Sequence, residues 1–196
     1  MVMRLSIEAA KSELRQQALA RRERLPADQR AAAAQAIAEG QLPIDVSPGA
    51  VVSGYSPLKS EISPLPLMRC FAQAGAQLAL PVVSGRGQAL IMRKWSFGEP
   101  LESGVWGIRE PTPQSPEVFP DVLIVPLLAF DRRGHRIGYG AGYYDMTITR
   151  LRGRKPVIAL GIAFAVQEIE EVPSTPRDAP LDLVLTEHGV IDCRKG

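Results

Sequence analysis

From Arg136 to Asp145 the chain reads Arg-Ile-Gly-Tyr-Gly-Ala-Gly-Tyr-Tyr-Asp, with glycines at 138, 140 and 142, every second residue. Glycine allows the main chain to approach an oxyanion closely, and the free N–H groups of a helix's first turn point at it. Upstream, Val122–Val125 is a short apolar run between Pro120 and Pro126, which reads as a strand buried on both faces. Tyr143, Tyr144 and Asp145 open a predicted helix. A buried strand, a glycine-rich turn and a helix start together suit a phosphate chain, and ATP is the expected ligand. The spacing is neither the G-x-G-x-x-G of dinucleotide folds nor a P-loop, which ends in Gly-Lys-Ser/Thr. On spacing alone, a surface turn over two packed aromatic rings describes it equally well.

A second set of candidate groups lies near the start. Residues 6–25 have helical periodicity, with Leu14, Ala18 and Leu25 on one arc and Lys11, Arg15 and Arg22 on the adjacent one. Either this line of cations is a solvated basic face, or Lys11 and Arg15 reach nucleotide phosphates. Periodicity does not choose. Cys70 and Cys193 match no metal-ligand spacing and read as two reduced thiols of a cytoplasmic protein. His135 and His188 flank loops and are assigned no chemistry.

The elements that must position these groups follow from pattern. Helices are predicted at 6–25, 27–40, 64–74 and 143–152. Strands are predicted at 50–55, 78–83, 89–94, 122–125, 156–162 and 181–186, with Val190-Ile191 at an edge. Residues 96–118, rich in Gly, Pro and Glu, read as a long irregular loop, and loops of that length are commonly functional. A lone tryptophan there, Trp106, reads first as a packing anchor. Strands alternating with helices predict an α/β fold over residues 1–196 as a single domain. Its central sheet is mostly parallel and flanked by helices, a Rossmann-like three-layer sandwich whose ligands gather beyond the carboxyl ends of the strands.

With 196 residues, 45% hydrophobic and 22% charged, the chain is long enough for a substantial core. A net charge of +2 gives no global field of the kind that marks nucleic-acid binders. The first 25 residues lack an apolar h-region, so no secretory leader is expected. The longest apolar run, Val122 to Phe130, contains a proline and is too short to span a bilayer.

The central stretch resembles the 5-formyltetrahydrofolate cyclo-ligase family, whose pattern is roughly D-x-x-G-x-R-(L/I)-G-x-G-x-G-Y-Y-D. Here it is matched by Asp131, Gly134, Arg136, Gly138, Gly140, Gly142, Tyr143, Tyr144 and Asp145. Lys11-Ser-Glu-Leu-Arg15, Tyr55 to Glu61, Leu80-Pro81-Val82, Gly107 to Pro111, Ala159 to Phe164 and Leu181 to Glu187 resemble further family segments, in order along nearly the whole chain. Two positions depart from it. Arg177-Asp178 stands where relatives often have His-Asp, and Ala141 where they often have Gly or Lys.

The resemblance implies ATP- and Mg²⁺-dependent conversion of 5-formyltetrahydrofolate to 5,10-methenyltetrahydrofolate, with ADP and phosphate released, through a phosphorylated formyl group. It assigns ATP contacts to Lys11, Arg15, Arg136, Gly138, Tyr139, Gly140, Ala141, Gly142, Tyr143 and Tyr144. Folate contacts fall to Ser56, Glu61, Trp106 and Tyr139 through Tyr143. Arg136 and Tyr143 are expected nearest the reacting atoms, with Asp145 and Asp182 as Mg²⁺ carboxylates. The implied partners are reduced folate and ATP, with no nucleic acid and no membrane, for a monomer or weak homodimer. The alternative is a non-catalytic folate- or nucleotide-binding relative, kept open by Ala141 and Arg177. Sugar-phosphate isomerase or CoA-transferase chemistry rests on fold analogy alone.

Overall fold

The computed structural model describes residues 2–195, with side chains from Ile7 onward. In chain order the elements are α1 (Val2–Glu23), α2 (Ala27–Glu39), β1 (Val51–Ser53), α3 (Leu65–Gln73), β2 (Gln77–Val82), β3 (Ile91–Lys94), β4 (Leu101–Ser103), β5 (Arg109–Pro111), β6 (Val122–Val125), β7 (Ala129–Phe130), β8 (Arg136–Ile137), α4 (Tyr143–Arg152), β9 (Ile158–Ile162), β10 (Leu183–Thr186) and β11 (Gly189–Asp192).

Seven strands form one sheet in the order β11-β10-β9-β6-β1-β2-β3. The five inner strands are parallel, and β3 and β11 close the two edges antiparallel. Each inner strand alternates its side chains between two cores, as a pleated strand covered on both faces must. Val52, Val122, Ile124, Leu160 and Leu183 pack with Ile37 of α2 and with Leu67 and Phe71 of α3. Leu123, Val125, Ala159 and Val184 pack with Ile148 and Leu151 of α4. The three-layer α/β expectation holds.

Two features set the position of a site. From β1 the chain winds outward through α3 to β2, whereas from β6 it winds the other way through α4 to β9. The carboxyl ends of β1 and β6 are therefore a topological switch point, where the following loops part and leave a crevice. Across that end lies α1, packing Ala18 against Leu128, Ala129 and Ile137. Among the described residues no helix is long and apolar enough to cross a membrane.

The segment 96–118 is more ordered than its composition predicts. It holds the antiparallel pair β4–β5 and, at its tip, a 3-10 turn from Val105 to Gly107. Three-residue strands are too short to show an alternation. Trp106 at the tip is no packing anchor: it is 69% exposed and has φ +58°, a left-handed conformation sparsely populated by residues with a side chain. A second short pair, β7–β8, delivers the chain into the glycine turn.

Candidate active site

The glycine turn sits directly beyond the switch point and ends as the N-terminal cap of α4. Gly140 and Gly142 both have positive φ, +96° and +70°. Ala141 between them does not, so the alanine stands where a side chain is tolerated. In α4 the first amides after Gly142 have no partner within the helix, which leaves a polar, positively biased mouth at Tyr143 and Tyr144. Gly138, Gly140 and Gly142 border open space, except that the Arg15 guanidinium lies beside Gly140, 3.3 Å from where a Cβ would be.

The cations of α1 meet this turn in sequence. Lys11 is buried and ion-paired to Asp178, with Nζ 2.8 and 2.7 Å from the two carboxylate oxygens. Arg15 Nε donates to the Gly138 carbonyl at 3.1 Å. Arg22, only 1% exposed, donates to Ser60 Oγ at 3.1 Å, the Leu127 carbonyl at 3.4 Å and Tyr139 Oη at 2.8 Å. The solvated-face reading of these three residues is corrected. The helix turns their side chains into the protein because each finds a carboxylate, carbonyl or hydroxyl there.

Beneath the turn, Arg136 is buried. It donates to Asp145 Oδ1 at 2.7 Å and to the Ala179 carbonyl at 2.6 Å. The Ala179 amide donates to the same Asp145 oxygen at 3.1 Å. Burial draws the Arg136 guanidinium below its ordinary value, and the Asp145 charge opposes this. Asp145 Oδ2 has no hydrogen-bond partner among the described residues. The segment 175–179 thus fixes both sides of the turn: Asp178 holds Lys11, and Ala179 holds Arg136 and Asp145. Sequence reasoning passed over Asp178 and stopped at Arg177, whose side chain is exposed.

On the other side of the turn, the loop after β1 carries Ser56 and Glu61. Its bend puts Lys59 at φ +51°, and Glu61 Oε2 accepts the Leu58 amide at 2.7 Å. Burial pushes the Glu61 carboxyl above its ordinary range, against the Leu58 amide, the Tyr139 hydroxyl and the Arg22 charge. Tyr55 Oη donates to the Ile62 carbonyl at 2.6 Å. Burial also raises the phenols of Tyr55, Tyr139 and Tyr144, and the negative charge of Glu61 adds to the rise in each. Ser56 is tied elsewhere, donating to the Arg109 carbonyl at 2.7 Å, so it fastens the β4–β5 hairpin to the loop. At the hairpin tip, Trp106 stands over Tyr143 with ring centroids 6.0 Å apart, tilted by 59°.

One expected residue is not brought here. Asp182 immediately precedes β10 and therefore lies at the amino end of a strand. Its Oδ2 accepts from Arg152 at 2.8 Å, at the C-terminal end of α4, and from the Ala159 amide at 2.7 Å. Asp145 is in the first turn of that ten-residue helix, which rises about 15 Å from end to end. The two aspartates sit at opposite ends of α4, which corrects the expectation that they share one metal ion. Among the described residues no three His, Cys, Asp or Glu side chains gather into a metal cage.

Comparison with known proteins gives a consistent picture. The model of the 5-formyltetrahydrofolate cyclo-ligase family matches residues 7–187. The 5-formyltetrahydrofolate cyclo-ligase of Mycolicibacterium smegmatis is 32% identical over 193 residues, covering 94% of this chain and 98% of the relative. The Escherichia coli protein of the same name is 33% identical over 141 residues, covering 69% and 76%. Among solved structures, the 5,10-methenyltetrahydrofolate synthetase of Aquifex aeolicus superposes with a TM-score of 0.76 at 31% identity, covering 95% of this chain and 94% of that one. The synthetase of Mycoplasma pneumoniae shares the fold, with a TM-score of 0.67 at 21% identity.

Proposed function

The chain belongs to the 5-formyltetrahydrofolate cyclo-ligase family, and on that premise we propose that it closes 5-formyltetrahydrofolate to 5,10-methenyltetrahydrofolate using MgATP. The observation that supports this most is the clamp at the glycine turn. Open main chain at Gly138–Gly142 is backed by a helix N-terminus, overlaid by Arg15 and braced by the buried Arg136–Asp145 pair. Such a surface suits a triphosphate better than any neutral ligand, because its donors are fixed before the anion arrives.

The chemistry needs alignment and charge neutralisation rather than a protein nucleophile. The formyl oxygen attacks the γ-phosphorus, and the bond from phosphorus to the ADP oxygen breaks. N10 then attacks the activated carbon, loses its proton, and the carbon–oxygen bond breaks as phosphate leaves. Arg15 and the amides after Gly142 would steady the phosphate oxygens, while Arg136 at the base of the turn keeps Asp145 in place. Lys11 sits one helical turn from Arg15, where release from Asp178 would let it join them. Tyr139 and Tyr143 line the passage between the turn and the folate side. There Glu61 would accept hydrogen bonds from the pterin's N–H groups, and Trp106 would cover its ring.

Magnesium fits this site through Asp145. One carboxylate oxygen is tied down while Oδ2 is left open, matching an ion that takes one or two carboxylates and completes its shell with water and phosphate oxygens. When bound, the ion would neutralise charge between the phosphates. Asp182 does not fit that ion.

The test is to supply 5-formyltetrahydrofolate and follow methenyl-folate absorbance with and without MgATP. Product is expected only with both. Full conversion without ATP would refute the phosphorylated route, and none in any condition would leave binding without turnover.

A further inference from the structure

The β4–β5 hairpin pairs with no strand of the seven-stranded sheet. At its tip Trp106 is the most exposed large apolar side chain among the described residues. Its φ of +58° is unfavourable for a residue with a side chain, and such a backbone persists only where the surroundings impose it. Among the described residues two hydrogen bonds tie this hairpin to the rest of the protein. The buried Glu110 carboxylate accepts the Val83 amide, just after β2, at 3.2 Å. Gly104 leaves room for it, since a Cβ there would stand 2.2 Å from the Glu110 carboxyl carbon. One residue nearer the tip, Ser56 Oγ donates to the Arg109 carbonyl at 2.7 Å. The Gly104 amide donates to the Ile108 carbonyl, also at 2.7 Å, so the Ser56 bond lies beside the one that closes the tip. The Glu110 bond anchors the stem, and the Ser56 bond sets how far the tip leans.

That lean decides ring contact. Trp106 stands over Tyr143 with centroids 6.0 Å apart, whereas a pterin covered by the indole would meet it at about 3.5 Å. Dispersion falls off steeply with distance, and a gap of about 0.5–1 Å forfeits a quarter to a half of it. A hydroxyl that fixes the angle of the hairpin therefore acts on the ring without touching it. Nor is the Ser56 hydroxyl free to donate elsewhere, because it has one proton and gives it to Arg109.

We propose that Ser56 is a positioning residue for folate, acting through the β4–β5 hairpin: its bond to the Arg109 carbonyl holds Trp106 at the height where the indole covers the pterin. The assignment rests on the cyclo-ligase reading. It replaces the expected direct contact between Ser56 and folate with an indirect one, carried by the main chain from Arg109 to Trp106.

The experiment compares wild type with Ser56→Ala, Ser56→Thr, Trp106→Ala and the Ser56→Ala, Trp106→Ala pair, measuring kcat and KM for each substrate. In Ser56→Ala the folate KM should rise about three- to tenfold, the span of one neutral hydrogen bond, with the ATP KM within about twofold of wild type. Ser56→Thr keeps a hydroxyl and should return the folate KM to within about twofold. Adding Ser56→Ala to Trp106→Ala should cost less than about twofold more, because the ring being placed has gone. The second readout needs no ligand. The chain has two tryptophans, and the indole N–H resonance of Trp106 is identified by its loss in Trp106→Ala. In Ser56→Ala that resonance should shift while that of the buried Trp95 stays. Ser56→Gly replaces Ser56→Ala if the latter does not fold. An unmoved Trp106 resonance, an unchanged folate KM, or losses that multiply in the pair would overturn the role of Ser56 while leaving the cyclo-ligase reading intact. A wild type unable to make methenyl-folate would overturn both.

Discussion

From its middle to its C-terminal end α1 faces two differently built halves of one cleft. Near Lys11 and Arg15 the proposed phosphate half is largely main chain: carbonyls and amides of a glycine turn, a helix mouth and ion pairs that leave a carboxylate oxygen open. Near Arg22 the proposed folate half is side chain, with one buried cation, one carboxylate raised by its surroundings and three phenols. The difference follows the ligands. A triphosphate is recognised by charge and can be gripped by repeating amides, whereas a pterin edge is a neutral pattern of donors and acceptors. Reading that pattern requires an acceptor in a fixed protonation state.

If the halves are independent, damage to one should spare the other. The largest effect is expected from Asp145→Asn. It keeps the shape of the turn but removes the charge that Arg136 and the proposed metal share. Turnover should fall by about 10²–10³-fold. Folate affinity, titrated without ATP, should stay within about threefold. A comparable loss of folate affinity would show that the halves are one coupled site.

Asp178→Asn comes next and probes the phosphate end through stability. Burial disfavours the Asp178 anion, but bonds from Lys11 and from the Thr175 amide and hydroxyl outweigh it and hold the carboxyl below its ordinary 3.8. A carboxyl lowered on folding contributes stability above its unfolded value and loses that contribution as pH falls through the folded one. The variant should therefore be less stable by about 3 kcal/mol at pH 6, the cost of stranding a buried lysine. That gap, read from thermal melts, should narrow below about pH 3.8. The KM for ATP should rise while that for folate holds.

The same contrast explains what the sequence disclosed. The α/β order, the buried β6 and the glycine turn were legible because periodicity and glycine spacing report main-chain demands directly. Lys11, Arg15 and Arg22 were visible as a stripe, but a stripe does not say whether it faces water or carboxylates. The network of Arg22, Ser60, Glu61 and Tyr139 spans 117 positions between Arg22 and Tyr139, so no local pattern could join it. The β4–β5 hairpin escaped because its strands have three residues each and lie among prolines and glycines. Asp182 carried a usable signal: a residue at the start of a predicted strand lies at the pole away from the carboxyl ends, where ligands gather.

That position makes Asp182→Asn the finest test of the comparison, because its expected effect on catalysis is nearly nothing. The carboxylate ties the C-terminal end of α4 to the amino end of β9 through Arg152 and the Ala159 amide. Asparagine can still accept one of these bonds, so the loss should be a stability cost of about 1 kcal/mol. The Mg²⁺ concentration for half-maximal rate should remain within about twofold of wild type, since Mg²⁺ binds ligand oxygens at about 2 Å and tolerates little displacement. About 10 Å of helix rise separates Asp145 from Arg152, the residue Asp182 is bonded to, too far for one ion to bridge the two carboxylates. If the magnesium requirement instead rose about tenfold without a matching change in melting temperature, Asp182 would act on the metal from the far end of α4. The phosphate half could then no longer be confined to the crevice above the sheet.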